Sequence, residues 1–152
     1  MIEIRAATIA DATLLAELRW DFRSTQHPPR EAHEPFVRRC TAWMRRELQN
    51  GSAWKAWVAV DQQVIVGQVW LHTLQKIPNP IAESEQLAYL SNLYVTEAAR
   101  GGTGTRLLET ALASCRASRI DRVVLWPSIR SVTLYVAHGF SHAGDVMELK
   151  IR

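Results

Sequence analysis

Apolar residues recur with helical spacing in four segments of the chain. After Asp11, a suitable N-cap, the first segment has an apolar stripe. The second ends at Asn50-Gly51, a pair typical of helix ends. A third helix is predicted over residues 104–117, and a short fourth over residues 131–136, closed by Gly139. The three long stripes are Leu14, Leu15, Leu18 and Phe22; Phe36, Val37, Cys40, Trp43, Met44 and Leu48; and Leu107, Leu108, Ala111, Leu112 and Cys115.

The other apolar segments have the alternation or composition of strands. They predict six strands, at residues 2–7, 54–60, 64–74, 87–95, 123–126 and 146–151. Along the chain the order is strand, two helices, three strands, helix, strand, helix, strand. This order predicts a mixed sheet with helices on both faces, not a pure alternation of strand and helix.

Composition and charge narrow the class of protein. The chain has 152 residues, of which 47% are hydrophobic and 22% charged, and we expect one domain over residues 1–152. The formal net charge of +3 comes from scattered basic residues without interleaved aromatic ones, so nucleic acid is not an expected partner. No apolar run is long enough to span a bilayer, so a membrane is not expected either.

The cysteines and histidines indicate neither a metal site nor an oxidising compartment. Cys40 and Cys115 stand alone, and the five histidines have no ligand spacing, so no metal is expected. Free thiols, together with an N-terminus that lacks a secretory pattern, favour a cytoplasmic location. Cys115 shares an apolar face with Leu108 and Leu112, which favours a core residue over a nucleophile.

A glycine-rich segment between a predicted strand and a predicted helix has the features of an anion site. It reads Arg100, Gly101, Gly102, Thr103, Gly104, Thr105. Glycines let the backbone turn with its N–H groups exposed, and the first amides of the next helix lack partners. Arg100 and Arg106 are expected to add charge-assisted contacts. The segment lacks the lysine of a Walker loop, and Leu107 stands where a Rossmann loop has its third glycine.

Two motifs resemble the GNAT superfamily of acyl-CoA-dependent N-acetyltransferases. The first is the strand step Leu93-Tyr94-Val95 followed by the glycine segment, which is one residue shorter than the usual family pattern. The second is Leu134-Tyr135 followed by Gly139-Phe140, whose spacing is intact. Ser128 and Ser131 stand where the family has asparagine and alanine. The resemblance covers nearly the whole chain and implies a mixed, largely antiparallel sheet of about six to seven strands, with about four helices on both faces.

The resemblance also implies a cofactor and its binding residues. Acetyl-CoA is the expected co-substrate, and its pantetheine arm would lie between the fourth and fifth strands. The cofactor-binding residues would be Leu93, Tyr94, Val95, Arg100, Gly101, Gly102, Thr103, Gly104, Thr105, Ser128 and Ser131. The strand step would offer its backbone groups to the arm, and residues 100–105 would hold the pyrophosphate.

The reaction so implied is transfer of an acetyl group to a primary amine by direct attack. Tyr135 resembles the family's general acid, and a tyrosine of pKa ~10 keeps its proton at neutral pH. The N–H near Leu93 is the expected oxyanion donor. Glu85, just before the cofactor strand, is a candidate base, with Glu83 and a water relay as alternatives. Trp20 is a candidate for lining the acceptor pocket.

Several alternatives stay open at this point. The acceptor is a small amine or an amino group of a protein, and the sequence does not identify it. A domain of this fold that senses acyl-CoA without turning it over is the main alternative function, because Ser128 and Ser131 depart from the family motif. A nucleotide-dependent enzyme is a third class. A homodimer, formed through an antiparallel edge or an exchanged C-terminal strand, is also open.

Overall fold

A computed structural model describes residues 1–152 of the protein. The helices are α1 (Ala12–Ser24), α2 (His33–Glu47), α3 (Thr103–Ala117) and α4 (Val132–Ala137), with short 3₁₀ turns before α1, α3 and α4. The strands are β1 (Ile2–Ala6), β2 (Trp54–Asp61), β3 (Val64–Gln75), β4 (Gln86–Val95) and β5 (Val123–Val124). None of the helices combines the length and hydropathy needed to span a membrane.

The five strands form one sheet in their chain order, β1-β2-β3-β4-β5. The first three pairings are antiparallel, and β5 runs parallel to β4. The mixed, largely antiparallel sheet with four helices agrees with the predicted fold class, but it has fewer strands than the six to seven predicted.

The predicted sixth strand, residues 146–151, is not formed. Its apolar side chains are solvent-exposed, from 56% for Val146 to 96% for Met147. A strand needs a partner edge, and β5 is too short to offer one, because only Val123 and Val124 pair with β4. The alternating pattern was present, but the pairing that makes a strand was not.

The sheet separates two hydrophobic cores. One core lies under α3, where Leu107, Leu108 and Ala111 are fully buried against the sheet. The other lies under α1 and α2, where Leu15 and Trp70 are buried. Successive residues of β3 contribute to opposite cores, which explains why that strand is a continuous apolar run. Cys115 is 3% exposed within the α3 core, which confirms its prediction as a core residue.

Buried polar contacts fix α1 against the sheet. The side chain of Gln68 is fully buried; its Nε2 donates to the Leu15 carbonyl at 3.0 Å, and its Oε1 accepts from Trp70 Nε1 at 2.8 Å. Asp11 immediately precedes α1, as predicted, but its carboxylate does not cap that helix. Instead it accepts two hydrogen bonds from Arg5, at 2.8 and 3.0 Å, and one from the Thr8 N–H at 2.7 Å.

Candidate active site

Strands β4 and β5 separate after a short pairing, and a gap opens between them. The only paired residues are Ala88 with Val123 and Tyr89 with Val124. Residues 90–95 of β4 continue beside β3 alone, without a partner strand on their other edge. An extended ligand with amide groups fits such an edge, because it can take the place of the missing strand.

A bulge interrupts β4 beside this gap. The pairing with β3 changes register between Gln68 and Trp70, and Asn92 has a φ of 57°. The extra residue changes which side chains face each core. Leu90 and Leu93, three residues apart, both contact the α3 core, whereas Tyr94 contacts the α1 side. A bulge of this kind re-aims backbone and side-chain groups next to a site.

The glycine-rich segment leads directly from β4 into α3 and exposes a run of backbone donors. Gly101 and Gly102 have φ values of 113° and 112°, which favour glycine, and α3 begins at the next residue. The amides of residues 101–105 donate to no group of the protein. The positive end of α3 lies beside them, so the segment suits an anion such as a phosphate group. Because α3 begins at Thr103, Gly102 is the glycine that immediately precedes the helix.

Two arginines flank this segment but point in different directions. Arg100 Nε donates to the Val95 carbonyl at 3.3 Å, which holds the guanidinium near the end of β4. Arg106 Nη1 donates instead to the Ile2 carbonyl at 2.7 Å, on β1. The expectation that both arginines would face the anion site is therefore wrong for Arg106. Helical geometry explains the difference, because its position on α3 is turned toward the edge of the sheet.

Tyr135 lies on α4 with its ring in the α3 core. Its side chain is 8% exposed, and the ring packs edge-on against Phe140 with centroids 5.4 Å apart. The hydroxyl has no hydrogen-bond partner in the protein. It keeps some contact with solvent, because the one side-chain polar atom that is both fully buried and without a partner is Thr41 Oγ1. Burial raises the pKa of Tyr135 to about 12. The group therefore stays protonated at neutral pH and can donate a proton.

A family model described as the acetyltransferase (GNAT) family matches residues 13–140, which is most of the chain. This protein belongs to the GNAT acetyltransferase family. The comparison with curated proteins finds no match.

Solved structures of other proteins share the fold over nearly the whole chain. A predicted acetyltransferase with acetyl-CoA from Clostridium acetobutylicum is 20% identical, with a TM-score of 0.83 over 99% of this chain and 96% of that one. A GCN5-related N-acetyltransferase from Ralstonia eutropha is 21% identical, with a TM-score of 0.82 over 99% of each chain. Glucosamine-6-phosphate N-acetyltransferase from Arabidopsis thaliana is 17% identical, with a TM-score of 0.72 over 100% and 99%.

Within this GNAT chain, Ser128 precedes and Ser131 ends the short turn that leads to α4. Ser131 Oγ donates to the Ser128 carbonyl at 2.9 Å and accepts from Ser128 Oγ at 2.9 Å. These bonds close the 3₁₀ turn that precedes α4 and so help to orient Tyr135. The two serines thus have a local structural role in addition to the predicted cofactor contact.

Glu85 is not brought together with the other predicted site residues. It precedes β4 at the end opposite the glycine segment, and its side chain is exposed. Only its backbone is engaged, where its carbonyl accepts from the Lys76 N–H at 2.8 Å. Asn92 is seven positions further along the chain, which is roughly 23 Å at the usual rise per strand residue.

Sequence reasoning did not predict the contacts between α1 and β4 on the α1 side of the bulge. Phe22 stacks on Tyr94 with centroids 5.0 Å apart and planes 21° apart. Arg19 Nη1 donates to Asn92 Oδ1 at 3.2 Å, across 73 positions of sequence. An asparagine within a predicted strand was the available signal, because asparagine is depleted in strands and tolerates a positive φ.

Trp20 lies apart from this group. Its ring contacts His33 at 5.2 Å and Phe36 at 5.7 Å between centroids, on the side of α1 that faces α2. It lines a cavity of about 220 Å³ together with residues of the loop between the two helices, including His27 and Pro28. The predicted acceptor-pocket role of Trp20 therefore stays a prediction about that cavity.

Proposed function

We propose that this protein is an N-acetyltransferase that moves the acetyl group of acetyl-CoA to a primary amine by direct attack. The observation that carries the proposal is the gap between β4 and β5, which ends at the free amides of residues 101–105. An unpaired strand edge suits the two amides of a pantetheine arm, and the free amides suit its pyrophosphate. Family membership supports the same reading.

The residues proposed to hold acetyl-CoA divide into three groups. Leu93, Tyr94 and Val95 are proposed to offer backbone groups along the gap. The Tyr94 side chain is engaged elsewhere, because its ring stacks on Phe22 on the α1 side. Gly101, Gly102, Thr103, Gly104 and Thr105 offer amides to the pyrophosphate, and Arg100 adds a positive charge. Ser128 and Ser131, which follow β5 in the chain, are proposed to contact the cofactor from the β5 side of the gap. Bound acetyl-CoA supplies the acetyl group as a thioester.

The chain's own groups supply an oxyanion donor and an acid. The N–H of Leu93, at the bulge, is proposed to donate to the carbonyl oxygen as negative charge develops there. Tyr135 is proposed to protonate the leaving sulfur, and its pKa of about 12 keeps the proton available over the neutral range. Its unbonded hydroxyl leaves that proton free to be donated.

For the base we propose a relay of water molecules. An alkylammonium acceptor of pKa ~10 must lose a proton before it attacks. Glu85 is the candidate from the sequence, but the roughly 23 Å between it and the bulge is too far for direct proton transfer.

Both cysteines are free thiols, which supports the reducing cytoplasm as the proposed compartment.

The proposal is tested by calorimetric titration with acetyl-CoA and by the release of free CoA thiol in the presence of amines. We expect selective binding of acetyl-CoA over ATP and NADH. Gly102→Val should weaken binding by about tenfold or more, because a φ of 112° strains a residue with a Cβ. Gly51→Val is the matched control, since Gly51 also has a positive φ, 89°, but lies after α2.

Three outcomes separate the alternatives. Binding with amine-dependent thiol release supports the enzyme. Binding without turnover of any amine would favour an acyl-CoA sensor instead. Absence of acetyl-CoA binding would remove the enzyme proposal, and micromolar binding of ATP or NADH in its place would favour a nucleotide-dependent protein.

A further inference from the structure

Arg19 is a partly buried cation without an acidic partner. It lies on the face of α1 that is turned toward β4, and its one hydrogen bond is that from Nη1 to Asn92 Oδ1, 3.2 Å. No carboxylate lies within ion-pair distance of it. The donors on Nε and Nη2 have no acceptor in the protein. A guanidinium has five N–H donors, so most of its hydrogen-bonding capacity is unused.

The electrostatic surroundings make this arrangement costly. Burial lowers the pKa of Arg19, and the neighbouring charge of Arg23 lowers it further. The nearest turn of α1 offers no relief, because the Glu17 carboxylate is bonded to His33 at 2.6 Å. A buried charge is ordinarily paired, and an unpaired one lowers stability.

A second arginine of the chain shows what a purely structural pair looks like. Arg5 donates two parallel hydrogen bonds to Asp11, at 2.8 and 3.0 Å. That carboxylate also accepts from the Thr8 N–H, so the charge is fully compensated. Arg19 has the neutral Asn92 in place of a carboxylate. Anchoring α1 to β4 through one amide oxygen does not require a positive charge, since a glutamine side chain can donate to the same atom.

The position of Arg19 connects it to the proposed chemistry. Asn92, its partner, is the bulge residue and immediately precedes Leu93, whose N–H is the proposed oxyanion donor. The guanidinium lies on the α1 side of the sheet, close to the ring of Phe22, whose centroid is 5.9 Å from Arg19 Cζ. Phe22 in turn stacks on Tyr94. The guanidinium is therefore bonded to the residue that precedes the proposed oxyanion donor, on the face opposite α3.

We infer that Arg19 binds a carboxylate of the acceptor, and hence that the acceptors are small amino carboxylates. This inference rests on the proposed N-acetyltransferase function and names the substrate class of that site. The unused donors on Nε and Nη2 form one edge of the guanidinium, which matches the two oxygens of a carboxylate. Binding there supplies the counter-charge that the protein itself does not provide.

The transfer step keeps the carboxylate unchanged. The neutral amine nitrogen attacks the acetyl carbonyl carbon, so a C–N bond forms and the C–S bond breaks. The proton displaced from nitrogen passes to water, and Tyr135 gives its proton to the leaving sulfur and regains one from solvent. The product is an N-acetyl amino carboxylate and free CoA. Arg19 holds and orients the acceptor throughout and exchanges no proton.

The experiment measures kcat/KM for a panel of L-amino acids, each paired with its own carboxamide. The ratio of acid to amide is compared between proteins, so that the intrinsic difference in amine pKa within each pair cancels. We expect at least one acid to exceed its amide in the wild type. Arg19→Gln should reduce that ratio by about 30-fold or more, the usual effect of removing one member of a buried charge pair. Arg19→Lys should give an intermediate ratio, since it keeps the charge without the fork.

Arg45→Gln is the matched control, because Arg45 is an exposed arginine on α2 without an ion pair. It removes the same charge and should leave the ratio as in the wild type. Thermal unfolding and acetyl-CoA titration of Arg19→Gln establish that the variant is folded and binds the cofactor. Turnover of the amides, retained in that variant, provides a second check that its active site is intact.

Two different results would overturn the inference. If amines are turned over but acids have no advantage over amides, or if the advantage survives Arg19→Gln, Arg19 is only a structural anchor and the N-acetyltransferase proposal stands. If acetyl-CoA binds and no amine of either kind is acetylated, the proposed function fails and the inference fails with it.

Discussion

On the face of the sheet under α3 the buried side chains are almost entirely hydrocarbon, whereas under α1 and α2 polar groups are buried as well. The α3 core consists mainly of alanine, valine and leucine, and Tyr135 brings its hydroxyl to the edge of it. The opposite core contains tryptophans, the fully buried Gln68 and, at its edge, Arg19. The proposed cofactor is thus held by backbone groups beside an almost entirely apolar core. The proposed acceptor is held by side chains beside the core that also contains buried polar groups.

This contrast agrees with what each face is proposed to recognise. Backbone amides at a helix start bind any phosphate group, so the α3 face needs only glycines and a stable scaffold. Discrimination between amines needs side-chain groups whose removal leaves a buried partner unpaired. Arg19, at the edge of the core under α1 and α2, is the proposed group of that kind. We therefore expect substitutions on the two faces to affect different measured quantities.

The largest effect is expected for Tyr135→Phe, which removes the proposed acid and keeps the ring in the α3 core. The value of kcat should fall by about 10² to 10⁴, while the Kd of acetyl-CoA stays near that of the wild type. Steady-state kinetics and calorimetry measure the two. Tyr89→Phe, which removes a hydroxyl bonded to Ser91 on the other face, is the control. Equal kcat values for Tyr135→Phe and wild type would assign Tyr135 to the core alone.

The next effect concerns stability on the polar face. Gln68→Leu makes the core more apolar, yet we expect it to lower the free energy of unfolding by about 2 kcal/mol, because the Leu15 carbonyl and Trp70 Nε1 lose their partner. Urea unfolding measures the change. Gln75→Leu, on the exposed end of the same strand, is the control. A stabilised Gln68→Leu would contradict the view that this core depends on its polar contacts.

The smallest effect concerns pH. Hydrogen bonding to Arg5 lowers the pKa of Asp11 below its ordinary value. A carboxyl whose folded pKa is depressed stabilises the fold above its unfolded pKa, and this contribution is lost as the pH falls through the folded value. Asp11→Asn should therefore cost about 1 kcal/mol at neutral pH and less in acid. Asp61→Asn, which breaks no ion pair, is the control for urea unfolding at several pH values; an equal cost for Asp11→Asn at every pH would contradict the assignment.

Local patterns predicted the parts of the fold that depend on neighbours in sequence. The third helix and the glycine segment before it were found because caps, apolar stripes and glycines act within a few residues. The fate of residues 146–151 was not predictable in this way, since strand formation depends on a partner edge far along the chain. Short β5 offers no such edge, and the apolar alternation alone does not form a strand.

The candidate site divides along the same line. Residues 100–105 were predicted from the local run of glycines before a helix, and Tyr135 from the resemblance to the GNAT family; their roles stay predictions. The pair of Arg19 and Asn92 joins positions 73 residues apart, and no local pattern predicts it. The direction of Arg106 depends on where β1 lies beside α3, which is also a tertiary fact. Glu85 was chosen for closeness in sequence to β4, yet a strand carries its two ends far apart.

The bulge at Asn92 also limits how the length of this chain can change during evolution. With the extra residue in place, Leu90 and Leu93 share one core and Tyr94 enters the other. Deletion of a single residue from β4 with the bulge retained would exchange the faces of everything after it, so that Tyr94 would be directed into the α3 core and Val95 out of it. Insertions and deletions are therefore expected in the loop between β3 and β4 and, within β4, only at the bulge, where loss of Asn92 would leave Leu93 and Tyr94 on their present faces.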